Sequence, residues 1–465
     1  MAPLIHTFTT MGKHYVFDAN ANTILPISEQ QWPLVQAIEN GDIQEESQSL
    51  LDTYREQGYF HEPNIQKIEH PETSAMKYHL SRKIQKLTLQ VTQACNLRCS
   101  YCTYSGMYKN RQHELKSMSF ETAKKAIDYV LANSIDTKDI SFGFYGGEPL
   151  LEMELIEECI KYVRENCIDK DISFTITTNG TLLTCANYEW LTNNGVDILI
   201  SLDGPKEIHD SARKYADGKG SFDDIIKNVF DIQSKFPDAK DKLRFMAVAN
   251  PEIQDSCIPQ LYTMDEIFPE YNVNLNFIND LYAEAPIGYS EEFNATIRQE
   301  RAKLFLYMLG KLDRSRVSRL VIEAEDDIVS KYKLLKRIKG LPQICHPGGP
   351  CLAGVHRLFV NVDGVFYPCE RVSETSNMMK IGNVDSGICV EKANTINNVG
   401  KTTAEECIKC WAILHCSMCA AFSDDLSEFS TKKRLAQCAS SKFQVVESFK
   451  DICFLRANGY IFEST

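Results

Sequence analysis

The run Cys95-Asn96-Leu97-Arg98-Cys99-Ser100-Tyr101-Cys102 places three cysteines in one tight loop, where a four-coordinate metal would want a fourth thiolate. Four thiolates close an iron–sulfur cluster, whereas three leave one iron with an open position for a small molecule, as at a catalytic zinc. A structural zinc knuckle and chance clustering are the competing readings of the same three residues.

Working outward, the loop follows the apolar run Leu87 to Val91, the first of six strand-length runs. The others are Ile140 to Tyr145, Ile172 to Thr178, Ile198 to Leu202, Leu243 to Val248 and Val273 to Ile278. Amphipathic stretches such as Leu150 to Cys167 and Phe222 to Phe236 lie between them, so the region reads as repeated strand–helix units around a parallel sheet. In such folds chemistry gathers at the carboxyl ends of the strands, which is where the three cysteines stand. Gly146-Gly147-Glu148-Pro149 follows the second run. Its two glycines suit close approach of backbone to a ligand, and Glu148 suits an ammonium group. Thr177-Thr178-Asn179-Gly180 closes the third run, and Ser201-Leu202-Asp203-Gly204-Pro205 leads from the fourth to His209 and Arg213.

Composition bounds the rest. At 465 residues the chain is too long for one ordinary core, and 43% hydrophobic with 24% charged residues describes a globular protein. No signal peptide or long apolar span is visible, so a cytoplasmic location and no membrane partner are expected. Seventeen cysteines in a reducing compartment point to metal ligation rather than disulfides. A net charge of −13 argues against a nucleic-acid partner, which would need a basic footprint.

The C-terminal region holds eight more cysteines in a pattern: Cys345, Cys351 and Cys369, then Cys407, Cys410, Cys416, Cys419 and Cys438. Only five residues separate Cys410 from Cys416, too few for a zinc ribbon. Cys159, Cys167, Cys185, Cys257, Cys389 and Cys453 are left over and read as small buried hydrophobes. At the other end, Tyr15 to Phe17 and Thr23 to Leu25 flank turn formers and read as a hairpin. Ser28 with Gln31 makes a capping box, with Ile27 and Trp32 as a staple. Pro33 is expected to cost one early hydrogen bond, and a second helix through Leu50, Leu51 and Tyr54 should stop at Gly58.

The CxxxCxφC loop, with Tyr101 as its aromatic, resembles the radical S-adenosylmethionine (SAM) superfamily, and the GGEP and C-terminal cysteine patterns strengthen the likeness. That resemblance implies an α/β fold: a partial (β/α)6 TIM barrel, a winged-helix RiPP recognition element (RRE) before it, and a SPASM iron–sulfur domain after it. The expected divisions are 1–75, 76–310, a bridging helix over 311–340, and 341–465. It implies SAM and three [4Fe-4S] clusters, one on Cys95, Cys99 and Cys102. The crossed ligation of the family would put an inner auxiliary cluster on Cys345, Cys351, Cys369 and Cys419, and an outer one on Cys407, Cys410, Cys416 and Cys438. It further implies that Gly146, Gly147 and Glu148 hold the SAM amino group, Ser201 its ribose or carboxylate region, and Arg213 its carboxylate. Thr177 and Asn179 would line the same site, and Leu281 the adenine side. Glu370, next to Cys369, matches the place of an aspartate thought to remove the substrate proton in sulfatase maturases.

Ile5 to Thr10, Tyr15 to Asn22 and Tyr367 to Glu374 look like maturases of ribosomal cysteine-rich peptides, the ranthipeptide and freyrasin type. What that likeness implies is an oxidoreductase joining a cysteine sulfur to a carbon, often the β-carbon of aspartate. Its partners would be a precursor peptide whose leader binds residues 1–75 as an added strand, and a reductant such as flavodoxin or ferredoxin. An anaerobic sulfatase-maturing enzyme, which forms formylglycine, is the alternative.

Overall fold

A computed structural model describes residues 2–463, apart from 105–107, 109–113, 253–271, 279–280, 284, 286 and 350. Cys257 lies outside the described residues. The N-terminal segment forms three antiparallel strands, β1 (Ile5–Thr10), β2 (Lys13–Asp18) and β3 (Thr23–Ile27), followed by α1 (Trp32–Asn40) and α2 (Glu45–Glu56). The predicted hairpin is β2–β3, and β1 adds a strand to it. Ser28 and Gln31 exchange hydrogen bonds as expected, but in the turn just before α1. Pro33 falls in the helix's first turn, where its missing N–H had no intrahelical partner to lose. Gly58, at φ +84°, ends the second helix in the left-handed conformation predicted for it.

Alternation along β1 and β2 gives this sheet two apolar faces. Ile5 and Val16 join Val35, Ile38, Leu51 and Phe60 in a core shared with the two helices. Phe8 and Phe17 face the other way, into a core with Ile413 and Phe449 of the C-terminal region. The hairpin tip is also engaged. Asp18 is buried and accepts the N–H groups of Asn20, Ala21 and Phe60, while Asn22 donates to Leu334 and Lys336 carbonyls. The outer side of β3 carries no strand among the described residues.

Next come β4 (Lys67–Ile68), α3 (Met76–Arg82) and the six predicted parallel strands: β5 (Lys86–Thr92), β6 (Asp139–Gly146), β7 (Asp171–Thr178), β8 (Val196–Ser201), β9 (Leu243–Ala249) and β10 (Asn272–Phe277). They pair in the order of the chain. β5 is buried on both faces, which is why its sequence is a continuous apolar run. Helices between the strands cover the outside, and Leu89, Phe142, Phe174 and Ile198 meet Ile127, Ile156, Ile160 and Ile225 in one core.

Residues 311–340 contain a short 3-10 turn and one helix, Arg319–Leu334. Beyond it the sheet continues in a way the sequence did not suggest. Leu358–Val360 adds to β5 in parallel, and Val365–Tyr367, Gly382–Asn383 and Gly387–Ile388 extend the sheet antiparallel to ten strands. The cysteine-rich region is thus hydrogen-bonded directly to the strand that presents the three-cysteine loop.

Candidate functional site

The loop after β5 is held by backbone bonds near its middle. Arg98 N–H donates to Lys214 O at 2.6 Å and Ser100 N–H to Ala212 O at 3.0 Å. Sulfur atoms receive amide donors: Leu97 N–H reaches Cys95 Sγ at 3.4 Å, Tyr104 N–H reaches Cys102 Sγ at 3.4 Å, and Asn179 Nδ2 reaches Cys95 Sγ at 3.8 Å. Burial pushes the Cys95 thiol up to about 12 and Cys99 to about 11, and Cys102 raises both further. Cys95 and Cys99 therefore stay protonated unless a cation claims them, and a metal does so outright. Amide donors to sulfur and a soft all-sulfur donor set fit an iron–sulfur cluster with one open iron.

The glycines of the second motif let two stretches of backbone meet. A Cβ on Gly146 would lie 2.1 Å from Thr92 O, and one on Gly147 would lie 2.0 Å from Ala94 O. They let β6 cross the start of the cysteine loop, where Gly147 N–H donates to Thr92 O and Glu148 N–H to Ala94 O, each at 2.8 Å. Glu148 itself is fully buried, and its carboxylate accepts Thr178 Oγ1 at 2.6 Å, Asn179 N–H at 2.7 Å and Leu150 N–H at 3.0 Å. These bonds fix Asn179 beside Cys95. Gly147→Ala should displace the loop by a bond length or so. The expected result is a fall of about 10²-fold in the rate of SAM cleavage, measured as 5′-deoxyadenosine.

Arg213 is likewise committed. Its Nε and Nη2 pair with both oxygens of Asp203 at 2.8 and 3.0 Å, and both side chains are buried. Tyr101 donates its hydroxyl to the same carboxylate, and the Arg213 guanidinium lies 5.2 Å from the centre of the Tyr101 ring. Burial works against the Arg213 charge, but Asp203, Tyr101 and Cys99 outweigh it and hold it charged. Through Asp203 the Arg213 fork ties the cysteine loop to the end of β8. Asp203 was the partner missed; it stands in the quoted Ser201 motif, ten residues before Arg213. His209, held well down near 4 by burial, accepts the Asp203 backbone N–H at Nδ1 and so braces the main chain that carries this carboxylate.

Ser201 ends β8, and Leu281 packs against the main core. Thr177 lines a cavity of about 330 Å³ inside the sheet, with Thr88, Thr175 and Gly143 on the strand side and Glu370 and Ser373 opposite. Gly143 keeps it open, since a Cβ there would sit 3.2 Å from Thr175 Oγ1. Glu370 is paired to Arg357 at 2.9 Å. Gln90 joins the two halves: its Nε2 donates to Tyr104 Oη and Glu374 Oε1, and its Oε1 accepts Val362 N–H.

The later cysteines form two neighbourhoods. Burial raises Cys369 to about 12, with Cys419 and Cys351 adding to it. Cys407, Cys410, Cys416 and Cys438 act on one another in the second group. Cys345 is paired in a short strand with Ile68, and Cys407 is the cysteine whose charge acts on its thiol. Among the described residues no three His, Cys, Asp or Glu side chains converge as around a single metal ion; a four-iron cluster takes each thiolate at a separate iron. Of the remaining cysteines, Cys159, Cys167 and Cys453 are buried as expected, whereas Cys185 and Cys389 are partly exposed because each sits at a helix start.

Residues 89–260 match the Radical SAM superfamily model, so the chain carries a radical SAM domain. It is homologous to anaerobic sulfatase maturases and to a radical SAM cyclopropyl synthase. The cysteine-type anaerobic sulfatase-maturating enzyme of Clostridium novyi is 28% identical over 62% of this chain and 74% of its own. The cyclopropyl synthase TigE of Paramaledivibacter caminithermalis is 30% identical over 35% of each chain. An uncharacterised protein of Methanocaldococcus jannaschii is 39% identical over 32% of this chain, which spans about half (49%) of that protein's length. Native anSMEcpe with bound AdoMet shares the fold, with a TM-score of 0.59 at 22% identity over 81% of this chain and all of its own. The same protein has been solved with AdoMet and the Kp18Cys peptide. No described helix is long and apolar enough to cross a membrane.

Proposed function

We propose that this chain is a radical SAM maturase that installs thioether bridges in a ribosomal, cysteine-rich precursor peptide. The cysteine sulfur would join a side-chain or backbone carbon, with aspartate or glutamate β-carbons the favoured site. The observation that carries this reading is the fusion of a three-stranded module, open along β3, to a cysteine-rich region that shares a core with it. Pro26 on β3 is of the type that edge strands tolerate, and an extended leader added there would gain main-chain hydrogen bonds.

Cys95, Cys99 and Cys102 would hold the SAM-binding cluster. Cys345, Cys351, Cys369 and Cys419 would hold the inner auxiliary cluster, and Cys407, Cys410, Cys416 and Cys438 the outer. When bound, the first cluster supplies reductive cleavage of SAM and the other two supply thiolate binding and an electron exit. The chain's own residues do the positioning. Asp203 and Arg213 fix Tyr101 and hence the loop, Glu148 fixes Asn179, and Gln90 sets the cavity against the C-terminal region. Glu370, which lines the cavity beside Cys369, would take a substrate proton at its carboxylate. Segments 1–75, 76–310, 311–340 and 341–465 serve as leader-binding module, barrel, bridge and auxiliary-cluster domain. A flavodoxin or ferredoxin in the cytoplasm would be the reductant.

Similarity to cysteine-type sulfatase maturases supports the second reading, formylglycine formation. Anaerobic incubation with SAM, reductant and a cysteine-rich precursor separates the two by mass spectrometry. Bridging removes two hydrogens per bridge and retains every sulfur; loss of sulfur with gain of an aldehyde would decide for the alternative. The leader assignment has its own readout. Amide exchange along β3 should slow when precursor is added, and unchanged exchange there would place the leader elsewhere.

A further inference from the structure

Arg434 is fully buried, yet none of its three guanidinium nitrogens has a hydrogen-bond partner. It lies on the short helix Thr431–Ala436, which packs on the turn Ala420–Ser423 that follows Cys419. Its carbonyl is 3.9 Å from Cys438 Sγ. The Ser423 hydroxyl on that turn is also buried and unpartnered. An unpaired buried guanidinium is costly enough that a folded protein does not retain one without an anion beside it. The groups its charge reaches are the thiols of Cys407, Cys438 and Cys419, together with His346. Those three cysteines belong to both auxiliary groups: Cys407 and Cys438 to the outer, Cys419 to the inner.

We propose that Arg434 is the shared counter-charge of the two auxiliary sites, its guanidinium donating hydrogen bonds to cluster sulfur on both sides. The proposal rests on the reading of these cysteines as cluster ligands and adds a positioning residue to it. A fixed cation and N–H donors stabilise the more negative, reduced state, so Arg434 holds the auxiliary potentials up. The planar five-donor fork suits two partners at once, which a point charge does not.

The test uses the fully metallated protein carrying alanine at Cys95, Cys99 and Cys102, so that only the auxiliary clusters report. Arg434→Gln, Arg434→Met and Arg434→Lys are compared by iron content and by redox titration followed by electron paramagnetic resonance. Gln and Met should lower at least one auxiliary potential by a tenfold change in the reduced-to-oxidised ratio, about 59 mV for one electron, or lose iron from one site. Lys should restore part of either loss. Unchanged iron and potentials in Gln and Met overturn the proposal, and so does a Lys variant as impaired as Gln, which would mark a packing role. If the parent protein itself holds no auxiliary iron, the cluster reading falls instead.

Discussion

Replacing Cys95, Cys99 and Cys102 together by alanine should abolish 5′-deoxyadenosine formation while leaving precursor affinity intact. The loop is otherwise held by main-chain bonds to Lys214 and Ala212 and by the buried Tyr101 contact, none of which needs a thiol. The fold around it should therefore survive, and the loss should be specific. Iron should fall by about four of roughly twelve per chain, as three clusters of four require. A variant that still cleaves SAM would show that the open site lies elsewhere. A starting content near four would instead leave the C-terminal cysteines without their assigned clusters.

Asp203→Ala carries the second large effect. It leaves the Arg213 guanidinium buried beside Cys99 with neither carboxylate oxygen, and breaking such a pair from one side costs about 3–5 kcal/mol. Tyr101 loses its acceptor and Val248 N–H its partner at the same time. Denaturant unfolding should show the loss, with SAM cleavage falling because the loop is no longer pinned to β8. Replacing both members by apolar residues of similar volume, Asp203→Leu with Arg213→Met, should recover much of the stability without restoring activity. A single variant as stable as the parent protein would mean that the pair contributes nothing.

The parallel strands were legible because each leaves a strand-length apolar pattern with turn formers at its ends: β5 is buried on both faces, whereas β7, β8 and β9 bury every second residue. Strands of two or three residues, such as Gly382–Asn383, leave no such trace, and the extension of the sheet into the C-terminal region was unreadable for that reason. The site shows the same limit in chemical terms. Residue type identified Glu148 and Arg213 as charged groups near the cysteine loop, but a buried charge must be paired, and the pairing partners are set by the fold. Thr178, Asn179 and Asp203 claimed them. Arg434 was invisible for a related reason: Thr431-Lys432-Lys433-Arg434 reads as a solvated basic face, and only packing reveals that its last member turns inward. The hairpin was read correctly, but not that its tip and inner face are built into the C-terminal core. Removing residues 1–75 to test leader binding would strip Phe8 and Phe17 from Ile413 and Phe449, so exchange along β3 is the cleaner probe.

The central claim is that three cysteines after β5 leave one iron free to engage SAM. The direct measurement is 5′-deoxyadenosine released by the fully metallated wild-type chain with SAM and a strong reductant under anaerobic conditions. Formation above the rate of a metal-free control, increased by a cysteine-rich precursor, is the result expected. No 5′-deoxyadenosine from protein of full iron content would contradict it.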